Sequence, residues 1–282
     1  MANESTTTTL NDLLPQIVAE AMFQAQEKSI MRGLVKNFTM PLNSGKTITV
    51  PTYPTVAAAG VAEGTDLTNT AVSTGGAVLT VSEVGVMTTV TDLALRSSAS
   101  NVIADIGKVF GEGIAKKMDQ DLMGNFDNFS TAIGDGTAAI TAAKVFEAVA
   151  NLRASGVPAT DLALVLHPMI AYDLKANLTN TFANANGNDL ANEALRGGYV
   201  GSLAGVPVFE SGNMENTGTA GDYKGGLFHR DALGLAMMQD IQVEQQRDAS
   251  LRATELVATA VYGHGEIFDA YGVEMHFDSS IQ

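Results

Sequence analysis

The sequence predicts an α+β protein with a projecting β-hairpin arm, on three observations. A run of about thirty residues from Ser98 to Phe126 places apolar side chains at three- and four-residue spacings, the mark of a long amphipathic helix. The final third, from Gly226, consists of apolar-alternating runs broken by Gly or charge. Between these habits and the N-terminus lies "PTYPTVAAAGVAEGTDLTNTAVSTGGAV", Pro51 to Val78, whose only charges are Glu63 and Asp66. It is too neutral for a solvated linker, and its Ala and Val side chains are too small to nucleate a core. No lysine or arginine lies between Lys46 and Arg96.

Each element follows from local pattern. Residues 12–33 read as an amphipathic helix with Asp12 as N-cap, Pro15 in the first turn and Gly33 as the stop. "GKTITVP" alternates like a strand. "AVLTVSEVGVMTTVTDLAL" does too, but Leu79 and Val81 share one parity while Val84, Val86, Thr88 and Val90 share the other. That slip predicts a bulge or bend near Glu83 and Val84. Two strands around a long middle make an extended hairpin. In the long helix, Val102, Ile106, Val109, Phe110, Ile114, Met118 and Leu122 form the expected apolar face, with Lys116, Lys117, Asp119 and Asp121 on the solvated side. Thr141 is the expected cap of "AAKVFEAVANLRASG" and Gly156 its stop. "DLALVLHP" reads as a buried strand, Pro168 opens the helix "MIAYDLKANL", "NDLANEALRGG" is a further short helix, and "GVPVFES" is a strand. This middle region alternates α and β with parallel pairing expected.

Composition narrows function. The chain has 282 residues, 17% charged and 45% hydrophobic, with a formal net charge of −15. The acidic balance opposes phosphate-backbone binding. The low charged fraction fits a surface partly covered by partners. Without cysteine, disulfides, thiolate metal sites and Cys nucleophiles are excluded. The N-terminus lacks a secretory pattern and no apolar run is long enough to span a bilayer, so synthesis in the cytoplasm and no membrane partner are expected. Of the four histidines, His264 and His276 with Glu266 could form a metal site on neighbouring strands; ordinary half-exposed sheet positions explain them as well. "HGE" lacks the Cys pair of a deaminase, "HRD" at His229–Asp231 lacks the rest of a kinase, and Ser202 and Ser211 lie in no Gly-x-Ser-x-Gly. No cofactor is expected.

Five segments in order resemble the major capsid proteins of tailed bacteriophages with the Hong Kong 97-type fold: "GKTITVPTYPTVAAAGVAEGTDLT", "LALVLHPMIAYDL", "ALRGGYVGSLAGVPVFES", "KGGLFHRDALGLAM" and "ELVATAVYGHGEIFDAYGVE". The resemblance covers almost the whole chain. It implies an N-terminal arm (1–45), an extended loop (46–96), a peripheral domain with the spine helix (97–135), a mixed α/β axial domain (136–226) and returning peripheral strands (227–282). It implies a non-enzymatic subunit that assembles through hexamers and pentamers into an icosahedral shell in the host cytoplasm. The shell encloses double-stranded DNA without sequence-specific binding, as the capsid of the virion. Tyr53, Val56, Val61, Glu63 and Leu67 are then expected as contacts of the loop with a neighbouring subunit. Some family members lock their shells by a Lys–Asn bond from this loop. Its lysine is missing here, so a non-covalent shell is expected, reinforced by a cement protein if at all. The chain begins almost directly with the arm, so scaffolding, with the portal, would be a separate protein. Three alternatives remain: an encapsulin-like shell for enzyme cargo, a tail-tube protein, and a metal-dependent hydrolase using His264, Glu266 and His276.

Overall fold

The computed structural model describes residues 29–54, 56–66, 69–93, 102–182, 201–217 and 221–281. Of the predicted helix over 12–33, residues 12–28 lie outside them, as does all of "NDLANEALRGG". Two sheets and one long helix organise the rest. The first sheet has four strands, in the order β1 (Lys36–Thr39), β10 (Leu233–Asp248), β11 (Ala253–Glu266), β4 (Ser82–Thr91). The second has six: β5 (Ala132–Ile133), β12 (Gly272–Asp278), β9 (Asp222–His229), β6 (Leu162–Leu166), β8 (Val206–Glu210), β7 (Ser202–Leu203). A separate two-stranded ribbon pairs β2 (Thr47–Thr52) with β3 (Gly75–Thr80), Thr47 opposite Thr80 and Thr52 opposite Gly75. This is the root of the expected hairpin.

The long helix, α2 (Val102–Met123), follows a short α1 (Met31–Leu34) and runs straight into a 3₁₀ turn, Gly124–Asn128. Its 22 residues span about 33 Å. Phe110, Ile114, Met118 and Leu122 pack against Val90, Leu256, Ala258, Ala260 and Tyr262 of the four-stranded sheet. Val109 does not join them. It stands 64% exposed, about 100° around the helix from Phe110, so the expected apolar face is narrower by one residue.

β6 explains why a run of five apolar residues carries no alternation. Leu162, Leu164 and Leu166 face one core with α3 (Ala142–Ala154) and α4 (Pro168–Phe182). Ala163 and Val165 face the other core, beside Phe126, Phe228 and the end of α2. The strand is buried on both faces, as the strands of parallel sheets are, and it pairs parallel with β8 and antiparallel with β9. The boundary expected between 226 and 227 falls inside β9, which pairs with β6 on one side and β12 on the other.

Three local expectations are corrected. Gly33 lies within α1, and the helix ends instead where Val35 turns to extended backbone. Thr141 occupies the cap position of α3 but its hydroxyl makes no capping bond; Asn177 Oδ1 accepts from the Ala142 amide at 3.1 Å. The parity slip is placed at Val81 rather than Glu83, because the chain there leaves β2 and joins β11.

Candidate functional site

The hairpin root is fixed by close packing. Leu79 is fully buried in a small cluster with Met40, Val81 and Ala236. It fits because Gly234 and Gly265, register partners on β10 and β11, leave room: a Cβ on either would lie 2.9 Å from a Leu79 methyl. At Gly263 the Thr80 carbonyl comes closer still. The Val81 amide donates to the Lys46 carbonyl at 2.8 Å and closes the root.

Beyond the root the character changes. Tyr53 is 68% exposed, Val56 52% and Val61 49%, and Glu63 is exposed as well. Leu67, the fifth expected contact, lies outside the described residues. From Tyr53 to Thr74 one backbone hydrogen bond is made among the described residues, Thr65 N–H to the Ala62 carbonyl, in a turn through Gly64. The segment therefore presents unpaired backbone and apolar side chains, with no core of its own.

α2 is held to its surroundings by polar side chains, two of which the sequence places on the solvated side. Asp119, expected on the solvated side, is fully buried. It follows Ala115 by one turn on the packed stripe. Its carboxylate accepts from Ser29 Oγ (2.8 Å), from the Ile30 and Met31 amides (3.4 Å each) and from Asn213 Nδ2 (3.3 Å). It thereby ties the chain before α1 and the loop after β8 to the helix. Burial raises its pKa above the ordinary carboxylate value, and these hydrogen bonds offset part of that rise. Asp121 accepts from Tyr262 Oη (2.8 Å) and pairs with Lys117 (2.6 Å). The Tyr262 hydroxyl is pushed to higher pKa by burial and by that bond to Asp121. Asn125 Nδ2 lies 2.9 Å from His264 Nδ1, and burial lowers the His264 pKa, which favours the neutral ring that can accept. Lys117, Gln120, Asp121, Asn125, Glu215 and His264 line an open cavity of about 280 Å³.

The residues of the metal-hydrolase reading are not brought together. His264 belongs to the four-stranded sheet and faces Asn125. Glu266 closes β11 near Asp269, with its pKa raised by burial and then by that neighbour. His276 lies in the six-stranded sheet, with Nε2 2.6 Å from Asp222 Oδ1. Among the described residues no cluster of three His, Asp or Glu could hold a metal ion. In the "HRD" triplet, His229 Nδ1 accepts from the Asp231 amide at 3.1 Å and the ring packs edge-on against Tyr271, a folding role. Sequence reasoning missed Asp119 and the Gly234–Gly265 pair. Only the paired glycines in "LGLAM" and "GHGE" hinted at the second.

A long helix beneath a four-stranded sheet, a mixed six-stranded sheet with its own helices, and an open hairpin define the Hong Kong 97-type capsid fold. Solved structures agree with it. The capsid of cyanophage P-SCSP1u superposes with a TM-score of 0.72 at 19% identity, over 89% of each chain. A structure of Mycobacterium phage Che8 gives 0.71 at 21% identity, covering 88% of this chain and 90% of that one. The acid-stable capsid of Helicobacter pylori bacteriophage KHP30 gives 0.73 at 13% identity, over 89% and 92%. No curated protein matches the sequence. The chain matches the phage capsid family over residues 11–265 and belongs to that family. It is a structural protein, a major capsid protein that assembles with copies of itself into an icosahedral shell, and its place is the capsid of the virion.

Proposed function

We propose that the shell is built from hexamers and pentamers in which the segment 46–96 of each subunit lies against its neighbour. One observation carries this reading: among its described residues the Tyr53–Thr74 segment has exposed Tyr and Val side chains and one internal backbone hydrogen bond, on a firmly packed root. Backbone amides and carbonyls demand partners when they are covered, and small apolar side chains gain by burial. A second subunit supplies both. Tyr53, Val56, Val61, Glu63 and Leu67 are the contacts on this account.

The remaining assignments follow the same logic. Residues 1–45 act as an N-terminal arm and 97–135 with much of 227–282 as the peripheral unit. Residues 136–226 act as the axial unit around the capsomer centre, with β9 and β12 completing its sheet. Assembly takes place in the host cytoplasm, with a separate scaffold, a portal and, where present, a cement protein. The absence of lysine between Lys46 and Arg96 makes the shell non-covalent at this loop. The acidic surface encloses double-stranded DNA without holding it.

Deleting Thr55–Ser73 tests the reading. The variant subunit should keep the thermal unfolding of the parent subunit yet form no closed particles. Particles of normal size and stability from the deleted chain would refute it.

A further inference from the structure

The four-stranded sheet has two open edges, and they differ. β1 covers β10 only from Gly234 to Met237. The rest of that edge carries Asp240, Glu244, Arg247 and Asp248, charges of the kind that block unwanted strand pairing. The opposite edge is β4, "SEVGVMTTVT", ten residues with one charge and no proline. Nothing guards it.

Its free backbone groups can be assigned. The Asp92 amide donates to the Arg252 carbonyl at 3.0 Å, so the pair 92/252 is a hydrogen-bonded one. Antiparallel ladders alternate, so Val90, Thr88, Val86 and Val84 also bond to β11. Glu83, Gly85, Met87 and Thr89 therefore turn their N–H and C=O groups away from the sheet. All four residues are exposed, Met87 at 60%.

We propose that β4 receives a further strand from a second copy of the chain, and that Asn69–Thr74 is that strand. This rests on the reading that the loop docks on a neighbour, and it names the receiving surface. Asn69–Thr74 leads directly into β3, but β2 ends at Thr52, opposite Gly75, so this stretch has no partner within its own ribbon. Thr70, Val72 and Thr74 alternate as β-branched residues, uncharged like the Gly85–Thr89 stretch they meet. Antiparallel addition sets Thr70 beside Thr89, Val72 beside Met87 and Thr74 beside Gly85. The same direction carries Asp66, three residues or about 10 Å of chain earlier, toward Arg252. Arg252 is exposed and makes no ion pair among the described residues, while Asp92 beside it is neutralised by Arg247 at 2.5 and 2.7 Å. The acidic edge of β10 would repel the same loop. Main-chain bonds then supply the attraction, as in other strand-addition interfaces.

The chain has no cysteine, which makes disulfide trapping clean. Opposed Cα atoms in a hydrogen-bonded pair lie about 5.5 Å apart, within disulfide reach. Particles co-assembled from Met87→Cys and Val72→Cys chains should give covalent dimers on oxidation, and particles of either variant alone should not. Co-assembled particles without dimers, with Thr70→Cys and Thr74→Cys failing equally, would overturn the proposal. Amide exchange on the unaltered chain is an independent check. The Glu83, Gly85, Met87 and Thr89 amides should exchange about tenfold or more slowly in particles than in free subunits; equal rates would overturn it too. If the Thr55–Ser73 deletion still abolishes assembly, such failure removes the β4 edge and leaves the docking loop standing.

Discussion

Gly234 and Gly265 stand opposite each other across β10 and β11, and the Leu79 side chain of the hairpin root occupies the room above both. The arm is thus attached through side-chain packing rather than only through the strand that continues into β4. A rigid root on an open tip is what a lever needs if many copies are to place their arms alike.

Changing this contact from either side should loosen the root. Leu79→Ala removes buried methyl groups and should cost about 2–5 kcal/mol. Gly265→Ala forces a methyl within 2.9 Å of Leu79 and should cost about 1–3 kcal/mol. The double variant should be less destabilised than the sum of the two, by thermal or urea unfolding of the free subunit. Strict additivity would show that the two do not touch.

Asp119 anchors residues 29–31 and Asn213 to α2, so its loss leaves the buried Met31 amide and three half-buried donors without that acceptor. Asp119→Ala should cost about 1–3 kcal/mol for each buried donor left without an acceptor, and Asp119→Asn less. The pH dependence has a definite sign. A carboxyl whose folded pKa is raised favours the fold below its ordinary value of 3.8, and that favour is lost as pH rises through the raised value. The stability of the parent relative to Asp119→Asn should therefore fall along that rise and level off above it. A flat difference would mean that Asp119 titrates as an ordinary surface carboxylate.

His264 acts in the opposite direction. Its folded pKa is depressed, chiefly by burial, and its neutral ring accepts from Asn125. Its contribution is present above the ordinary value of 6.5 and is lost as pH falls through the lowered one. Melting curves from about pH 7.5 to about pH 5 should show the parent losing its advantage over His264→Gln on acidification. An advantage that grows in acid would contradict the neutral ring.

Much of this was legible beforehand, for identifiable reasons. The hairpin could be read because two alternating strands flank a segment of Thr, Ala, Val and Gly whose side chains are too small to form a core. The parity slip in "AVLTVSEV" was visible because Leu79 and Val81 face the root while Val84 and Val90 face α2, a switch that one strand records in its own residues. Asp119 was not legible. Its partners Ser29 and Asn213 lie about ninety residues away in each direction, and on a helix wheel it resembles any solvated acid. Val109 failed for the mirror reason: helical spacing admits it to the apolar face, yet it stands exposed. The His264, Glu266 and His276 grouping failed because adjacency along β11 and β12 says nothing about which sheet each strand joins.

The central claim is that this chain closes into a shell through its arms. Electron microscopy of the purified protein, with light scattering on the same fractions, tests it most directly. Closed isometric particles, or hexamers and pentamers that convert to them, are the predicted result. A 29.4 kDa monomer that persists at every protein concentration, even when co-expressed with its genomic neighbours, would contradict the account.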